Sequence, residues 1–181
     1  GGPGGFLHAR FVPASHLHLP SLSDRPNAIQ SPQYFYGANN TIQHAGVQHV
    51  LDSVFAELKR KPERRFTYVE MAFFARWYTQ LAADEKDEVR SLVKDGRLTF
   101  ANGGWCMHDE ATTHYVGMLD QTTLGHRFLK KEFGFAPRVG WQLDPFGHSA
   151  TQASLLTYDI GFDALFFGRI DYQDRERRQA E

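Results

Sequence analysis

A single cysteine, Cys106, stands among 181 residues. It can form no internal disulfide, and no cysteine-based zinc cluster can be built around it. A metal site in this chain must therefore draw on histidines and carboxylates. Cys106 itself is expected to be a small buried apolar group rather than a nucleophile. No apolar run approaches the roughly 18 residues of a membrane-spanning helix. The opening GGPGGFLHARFVP has no apolar h-region of a signal peptide. That start implies either a cytosolic mature protein or a true N-terminus lying further upstream. Neither sign of charge predominates: 20 Lys and Arg face 21 Asp and Glu, for a net charge of −1. No global field steers the chain toward nucleic acid or an anionic membrane, and neither is expected as a partner. Basic clusters at Lys59–Arg65 and Arg175–Arg178 are read as solvated surface.

What the chain does have is apolar content of 41%, charged content of 23% and aromatic content of 14%, with 15 Phe. That is a globular composition, long enough to bury a sizeable core. Residues 1–32 read as an irregular N-terminal segment, with a flexible Gly1–Gly5 tail, one short strand at Phe6–Val12, and four prolines between Pro13 and Pro32. Beyond Gln33 the pattern becomes regular. Ile42, Ala45, Val50, Leu51, Val54, Phe55 and Leu58 fall on one helical face, closed by Pro62. A strand is predicted at Phe66–Met71, then a helix from about Phe74 to Lys94 with a buried stripe at Val89, Leu92 and Val93 and a cap at Gly96. The stripe Phe73, Phe74, Trp77 and Tyr78 reads as core. A strand at Leu98–Ala101 leads through Asn102-Gly103-Gly104-Trp105 into a polar segment and a third helix, Val116–Phe133, stopped by Gly134. A strand at Arg138–Leu143, a loop Asp144–Ser149, a helix Gln152–Asp159 and a strand Ala164–Phe167 follow. The charged end RERRQAE is expected to add no element. Alternation of strand and helix with three crossovers is an α/β pattern with a parallel sheet.

In such sheets chemistry gathers at the C-terminal ends of strands. Three polar clusters fall there: Asn102–His114, Asp144–Ser149 and Gly168–Asp171. Asp144 could be a nucleophile, a general base or a metal ligand, with Phe146 offering a ring face on which a sugar can stack. It could equally cap the next helix while His148 bonds to backbone. In the segment ending His108-Asp109-Glu110, carboxylates and the imidazoles of His108 and His114 are candidate ligands, although their spacing is no known zinc signature; a polar turn around a buried Trp fits as well. Arg169 can hold a carboxylate in its charged form, or make a structural ion pair with Asp171 nearby. His16-Leu17-His18 suits two ligands of one zinc if extended, since i and i+2 point the same way, and a bare surface pair if not. Asn39-Asn40-Thr41 is a glycosylation sequon, a faint pointer to secretion.

The strings QYFYG (33–37), RRFTYVEMAFFARW (64–77), ANGGWCMHDEATTHY (101–115), DQTTLG (120–125), WQLDPFGHS (141–149) and GFDALFFGRIDYQDR (161–175) resemble family 38 glycoside hydrolases, the class II α-mannosidases. The last string favours the lysosomal or vacuolar branch. The resemblance implies that residues 33–181 are the N-terminal part of a seven-stranded parallel β/α barrel, incomplete here. It implies zinc-dependent, retaining hydrolysis of terminal α-D-mannosyl residues of an oligosaccharide. Asp144 matches the nucleophile, which in this family also ligates zinc; Phe146 matches an aromatic lining the sugar site; Arg169 matches the arginine paired with the nucleophile.

Two departures from the family pattern stand out. The family's N-terminal His-Asp-Asp-Val-Gly-Trp is replaced by Ala14-Ser15-His16-Leu17-His18-Leu19-Pro20. His16 falls on the zinc histidine and His18 on the zinc aspartate, while the Gly-Trp is absent. The family's acid/base aspartate and last zinc histidine fall in sequence downstream of Glu181, so the expected partner is the missing C-terminal part of the same enzyme, and this piece alone is expected to be inactive. A mannose-binding or regulatory product without turnover is the alternative, and a metal-dependent deacetylase on a related barrel a more distant one.

Overall fold

The computed structural model describes residues 47–108 and 114–180. His16, His18, the sequon, the Phe6–Val12 strand, Asp109 and Glu110 lie outside the described residues. The chain divides into two units, residues 1–66 and 67–181. In the first, α1 (Val47–Arg60) follows the apolar spacing, with Leu51 and Leu58 buried. Glu57 is buried on the same helix and accepts hydrogen bonds from Arg60 Nε and Nη2, both at 2.8 Å, while Arg64 also pairs with it. The Arg60 hydrogen bond, with further help from Arg64, holds the Glu57 carboxyl below the usual carboxylate range.

At the join lies β1 (Phe66–Tyr68), and the second unit follows with α2 (Met71–Gln80) and α3 (Ala83–Lys94). The strand predicted to reach Met71 is shorter because the first amides of α2 have tertiary partners. Met71 N–H donates to Gly104 O at 2.9 Å and Ala72 N–H to Trp105 O at 2.8 Å, which satisfies helix-start donors that would otherwise be orphaned. The single helix predicted from Phe74 to Lys94 is two helices. Leu81 and Ala82 are extended (ψ 147 and 165), and the Glu85 carboxylate accepts from Ala82 N–H at 2.9 Å. The acidic pair Asp84-Glu85 then sits in the first turn of α3, where the helix dipole favours it. As expected, Gly96 and Gly134 close α3 and the later helix Tyr115–Phe133 in left-handed conformation.

Phe74 centres the core. Its ring lies 5.0 Å edge-on from Phe100, 5.7 Å from Tyr68, and 6.3 and 6.1 Å from Phe128 and Phe133, separations at which aromatic pairs attract. Trp77 and Tyr78 are buried with it, as are Val89, Leu92 and Leu129. After α3 come β2 (Leu98–Phe100), α4 (Tyr115–Phe133) and β3 (Val139–Gln142). Next are α5 (Ala150–Ser154), running into a π-helical turn at Leu155–Asp159, β4 (Ala164–Phe167) and α6 (Tyr172–Ala180). The charged end thus forms a helix where none is predicted. Asp171 Oδ1 caps it by accepting from Gln173 and Asp174 N–H at 3.0 and 3.2 Å, and Asp174 bridges to Arg177 and Arg178 one turn on.

β1 pairs with β2, and β3 with β4. The second pair is parallel, with Trp141 opposite Phe166 and Gln142 opposite Phe167. Single backbone bonds extend the ladder: Ala101 N–H to Tyr68 O at 3.0 Å and Asn102 N–H to Val139 O at 2.7 Å. The architecture is mixed α/β, with four strands among the described residues.

Candidate active site

Strand β3 ends at Gln142, and the chain turns through Leu143 into Asp144-Pro145-Phe146. Strand β4 runs alongside, ends at Phe167 and leads into Gly168-Arg169. A β-carbon at Gly168 would stand 2.6 Å from Leu143 O, so only glycine lets the two strand ends approach this closely. Arg169 Nη2 then meets Asp144 Oδ1 at 2.9 Å, and its guanidinium carbon lies 5.5 Å from the centre of the Phe146 ring. His148 Nε2–H donates to Arg169 O at 3.0 Å, with its ring 5.1 Å from Phe167. Asp144, Phe146, Arg169 and His148 therefore form one cluster at the ends of two adjacent parallel strands. It is open: the Asp144 and Arg169 side chains are 64% and 59% exposed, and Phe146 is exposed too. An ion pair this exposed contributes at most about 1 kcal/mol to stability. What it offers instead is an oriented carboxylate, a cation and a ring face open to a ligand.

Behind this surface lies a polar network that is buried at Asn102, Gln142 and His108. Asn102 is buried at the end of β2 with a φ of 58, a left-handed conformation that Asn tolerates better than other side chains. Its Oδ1 accepts from Trp141 N–H at 3.2 Å and from Gln142 Nε2–H at 3.1 Å. Gln142, fully buried, uses Oε1 to accept the His108 N–H at 2.8 Å. His126 Nε2 bonds to Asn102 O at 2.8 Å. His108 is buried, with Nε2 3.5 Å from Thr122 Oγ1 and no hydrogen-bond partner for Nδ1 among the described residues. Burial holds this imidazole below its ordinary value, partly opposed by a hydrogen bond to the Met118 backbone.

Several sequence readings take definite form here. Asp144 does not cap the following helix; Ser149 Oγ does, accepting Gln152 N–H at 3.0 Å. His114, a candidate ligand, caps α4 by accepting Val116 N–H on Nδ1 at 3.2 Å. Arg169 pairs with Asp144 and not with Asp171, which is engaged in capping α6. In the loop after β2, His108 is buried, as are Asn102, Gly103 and Gly104, while Trp105 is only half-buried. Cys106, expected to be buried, is exposed: its thiol and amide both donate to Gln121 Oε1, at 2.8 and 3.1 Å, and that polar partner holds it at the surface. Sequence reasoning missed Asn102 and Gln142. The available signals were an asparagine directly before a double glycine and a glutamine ending an otherwise apolar strand.

The metal reading rests on Asp144, His16 and His18. Among the described residues no group of three or more His, Cys, Asp and Glu could hold an ion, and Asp144 alone of the three is described. Its Oδ1 is on Arg169. A carboxylate with two imidazoles is a donor set suited to zinc.

The family model of the glycosyl hydrolases family 38 N-terminal domain matches residues 30–181. An α-mannosidase of Arabidopsis thaliana is 62% identical over 175 residues, 95% of this chain and 17% of that protein. An α-mannosidase of Canavalia ensiformis is 58% identical over 97% of this chain and 17% of its own length. Lysosomal α-mannosidase of Homo sapiens is 59% identical over 88% of this chain and 16% of its own length. The chain thus spans 16–17% of the length of these curated relatives. Among solved structures, an α-mannosidase from Enterococcus faecalis V583 aligns with a TM-score of 0.58 at 19% identity, over 68% of this chain and 14% of that one. A 4-α-glucanotransferase from Thermococcus litoralis aligns at 0.51 and 19% identity, over 64% of this chain and 18% of that one. These two likenesses concern the fold alone.

Proposed function

Because the chain belongs to glycosyl hydrolase family 38, we propose that it carries the nucleophile's part of a zinc-dependent α-mannosidase site. The reaction is retaining hydrolysis of terminal α-D-mannosyl residues in glycoprotein or oligosaccharide catabolism. The observation that carries this reading is the exposed Asp144–Arg169 pair beside Phe146 at the ends of β3 and β4. Residues 33–181 then form the first part of a seven-stranded parallel β/α barrel. Relatives named lysosomal α-mannosidase in human, mouse, cattle and cat support a lysosomal or vacuolar setting.

Asp144 attacks the anomeric carbon and carries the glycosyl group until water displaces it. Arg169 steadies the carboxylate in position for that attack, and Phe146 takes the C–H face of the sugar. Retention needs a second carboxyl about 5–5.5 Å from the first to protonate the leaving oxygen. That group is assigned to the C-terminal part of the same enzyme. Zinc, held by Asp144, His16 and His18, would supply Lewis-acid binding of the vicinal 2- and 3-hydroxyls.

The test is hydrolysis of an aryl α-mannoside at acidic pH, with added zinc, with a chelator, and with Asp144→Asn. Turnover that is lost to the chelator and to the substitution is the expected result for the enzyme. Turnover that survives Asp144→Asn sinks the assignment. A second reading is favoured by the same cluster taken alone: one carboxylate, one cation and one ring are groups for holding a sugar. Saturable binding of mannose by the 181-residue chain, with no hydrolysis, would mark it as a binding module.

A further inference from the structure

We propose that Gln142, fixed by Asn102, is a positioning residue for Asp144. This rests on the mannosidase reading and deepens it. Asp144 is two residues past Gln142 on an exposed turn, where the Arg169 contact orients its side chain but is too open to water to fix the backbone that carries it. The rigid reference must therefore come from the strand beneath it. Gln142 is wholly buried, and its side-chain amide is held at both ends: Nε2 donates to Asn102 Oδ1 at 3.1 Å and Oε1 accepts from His108 N–H at 2.8 Å. The same Asn102 oxygen takes the Trp141 amide at 3.2 Å, and the Asn102 amide donates to Val139 O at 2.7 Å. Four bonds thus tie β3, from Val139 to Gln142, to the loop that follows β2. An apolar residue in its place would leave the His108 N–H without its acceptor and Asn102 Oδ1 without one of its donors. A buried side-chain amide joined to two separate segments fixes register and angle, and a small error in the placement of a nucleophile is costly in rate. Gln142 also links the Gly103–His108 loop to the nucleophile's strand, through the His108 N–H.

The variant Gln142→Met keeps length and volume and removes both contacts. In the complete enzyme that contains this segment, kcat is expected to fall about tenfold or more, with KM within about twofold because no group that touches the sugar is changed. Hydrogen exchange is the second readout: amides of residues 143–149 should exchange faster in the variant. Thr122→Val serves as the stability control, since it removes a buried hydroxyl near His108 without touching β3. It should lower Tm comparably and leave kcat in place. The proposal is overturned if Gln142→Met keeps wild-type kcat, or if both variants lose kcat in proportion to Tm. Should the unsubstituted enzyme hydrolyse no mannoside, the mannosidase reading fails by itself, and exchange then decides the positioning: faster exchange across 143–149 supports it, unchanged exchange overturns it.

Discussion

Asp144 and Arg169 contact each other at 2.9 Å while both stand mostly in water, which separates their effects on stability from their effects on chemistry. Asp144→Asn should leave the unfolding free energy within about 0.5 kcal/mol. In the complete enzyme, on the proposed role of Asp144 as nucleophile, it should lower kcat by on the order of 10³-fold or more. Arg169→Met should again spare Tm and cost on the order of 10²-fold in kcat/KM, the size of a lost electrostatic contact to a reacting group. Thermal melts alongside steady-state kinetics check both, and a parallel loss of Tm and activity would contradict the separation. His108 behaves in the opposite way, being buried with Nδ1 unpartnered among the described residues. Burial lowers its proton affinity in the fold, whereas the unfolded chain takes up a proton near pH 6.5. Between those two values the unfolded state binds more protons, so stability rises with pH. The contribution is complete above about pH 6.5 and is lost as pH falls from there toward the lower folded value. Melting temperature followed from neutral pH downward should drop in that window, and His108→Gln should flatten this part of the curve.

Helix α4 carries two glycines whose substitutions should have opposite signs. A β-carbon at Gly125 would stand 1.9 Å from Gly103 O, whereas one at Gly117 would meet nothing within 4 Å. Alanine is favoured over glycine in a helix by about 1 kcal/mol, so Gly117→Ala should stabilise by up to that amount. At Gly125 the clash is with backbone, and overpacking of this kind costs about 1–3 kcal/mol, enough to reverse the propensity gain. Denaturant midpoints of the two variants decide it. The close approach at Gly125 also shows where sequence reading reaches its limit. Helices α1, α3 and α4 and strands β2 to β4 were legible because apolar spacing and the glycine stops are local signals. The break at Leu81-Ala82 and the early start of α2 at Met71 were not. The first depends on a capping carboxylate three residues on, the second on carbonyls more than thirty residues away. The site divides the same way. Asp144, Phe146 and Arg169 could be named from their strings and their strand-end positions. Asn102 and Gln142 act only through contacts across 39 and 40 residues of sequence, which no period in the chain encodes.

In the second unit, β4 pairs with β3 on one side and with no other strand among the described residues. Phe166 and Phe167 on that strand are 54% and 47% exposed, and Val139 and Leu143 are exposed on β3 and just past it. Strand edges bearing large apolar side chains are templates for pairing with another chain, and contiguous apolar exposure of this kind mediates association. A single charge on such a strand is an effective block, because pairing would have to desolvate it. The 181-residue chain is therefore expected to self-associate as concentration rises. Phe166→Lys should weaken that association while leaving the Asp144–Arg169 pair in place, since position 166 contacts Trp141 rather than the loop carboxylate. Sedimentation velocity across a concentration series gives the answer. A wild-type chain that stays monomeric throughout would mean that the exposed phenylalanines are covered within the molecule. A concentration-dependent mass that Phe166→Lys returns to the monomer value would locate the association on β4.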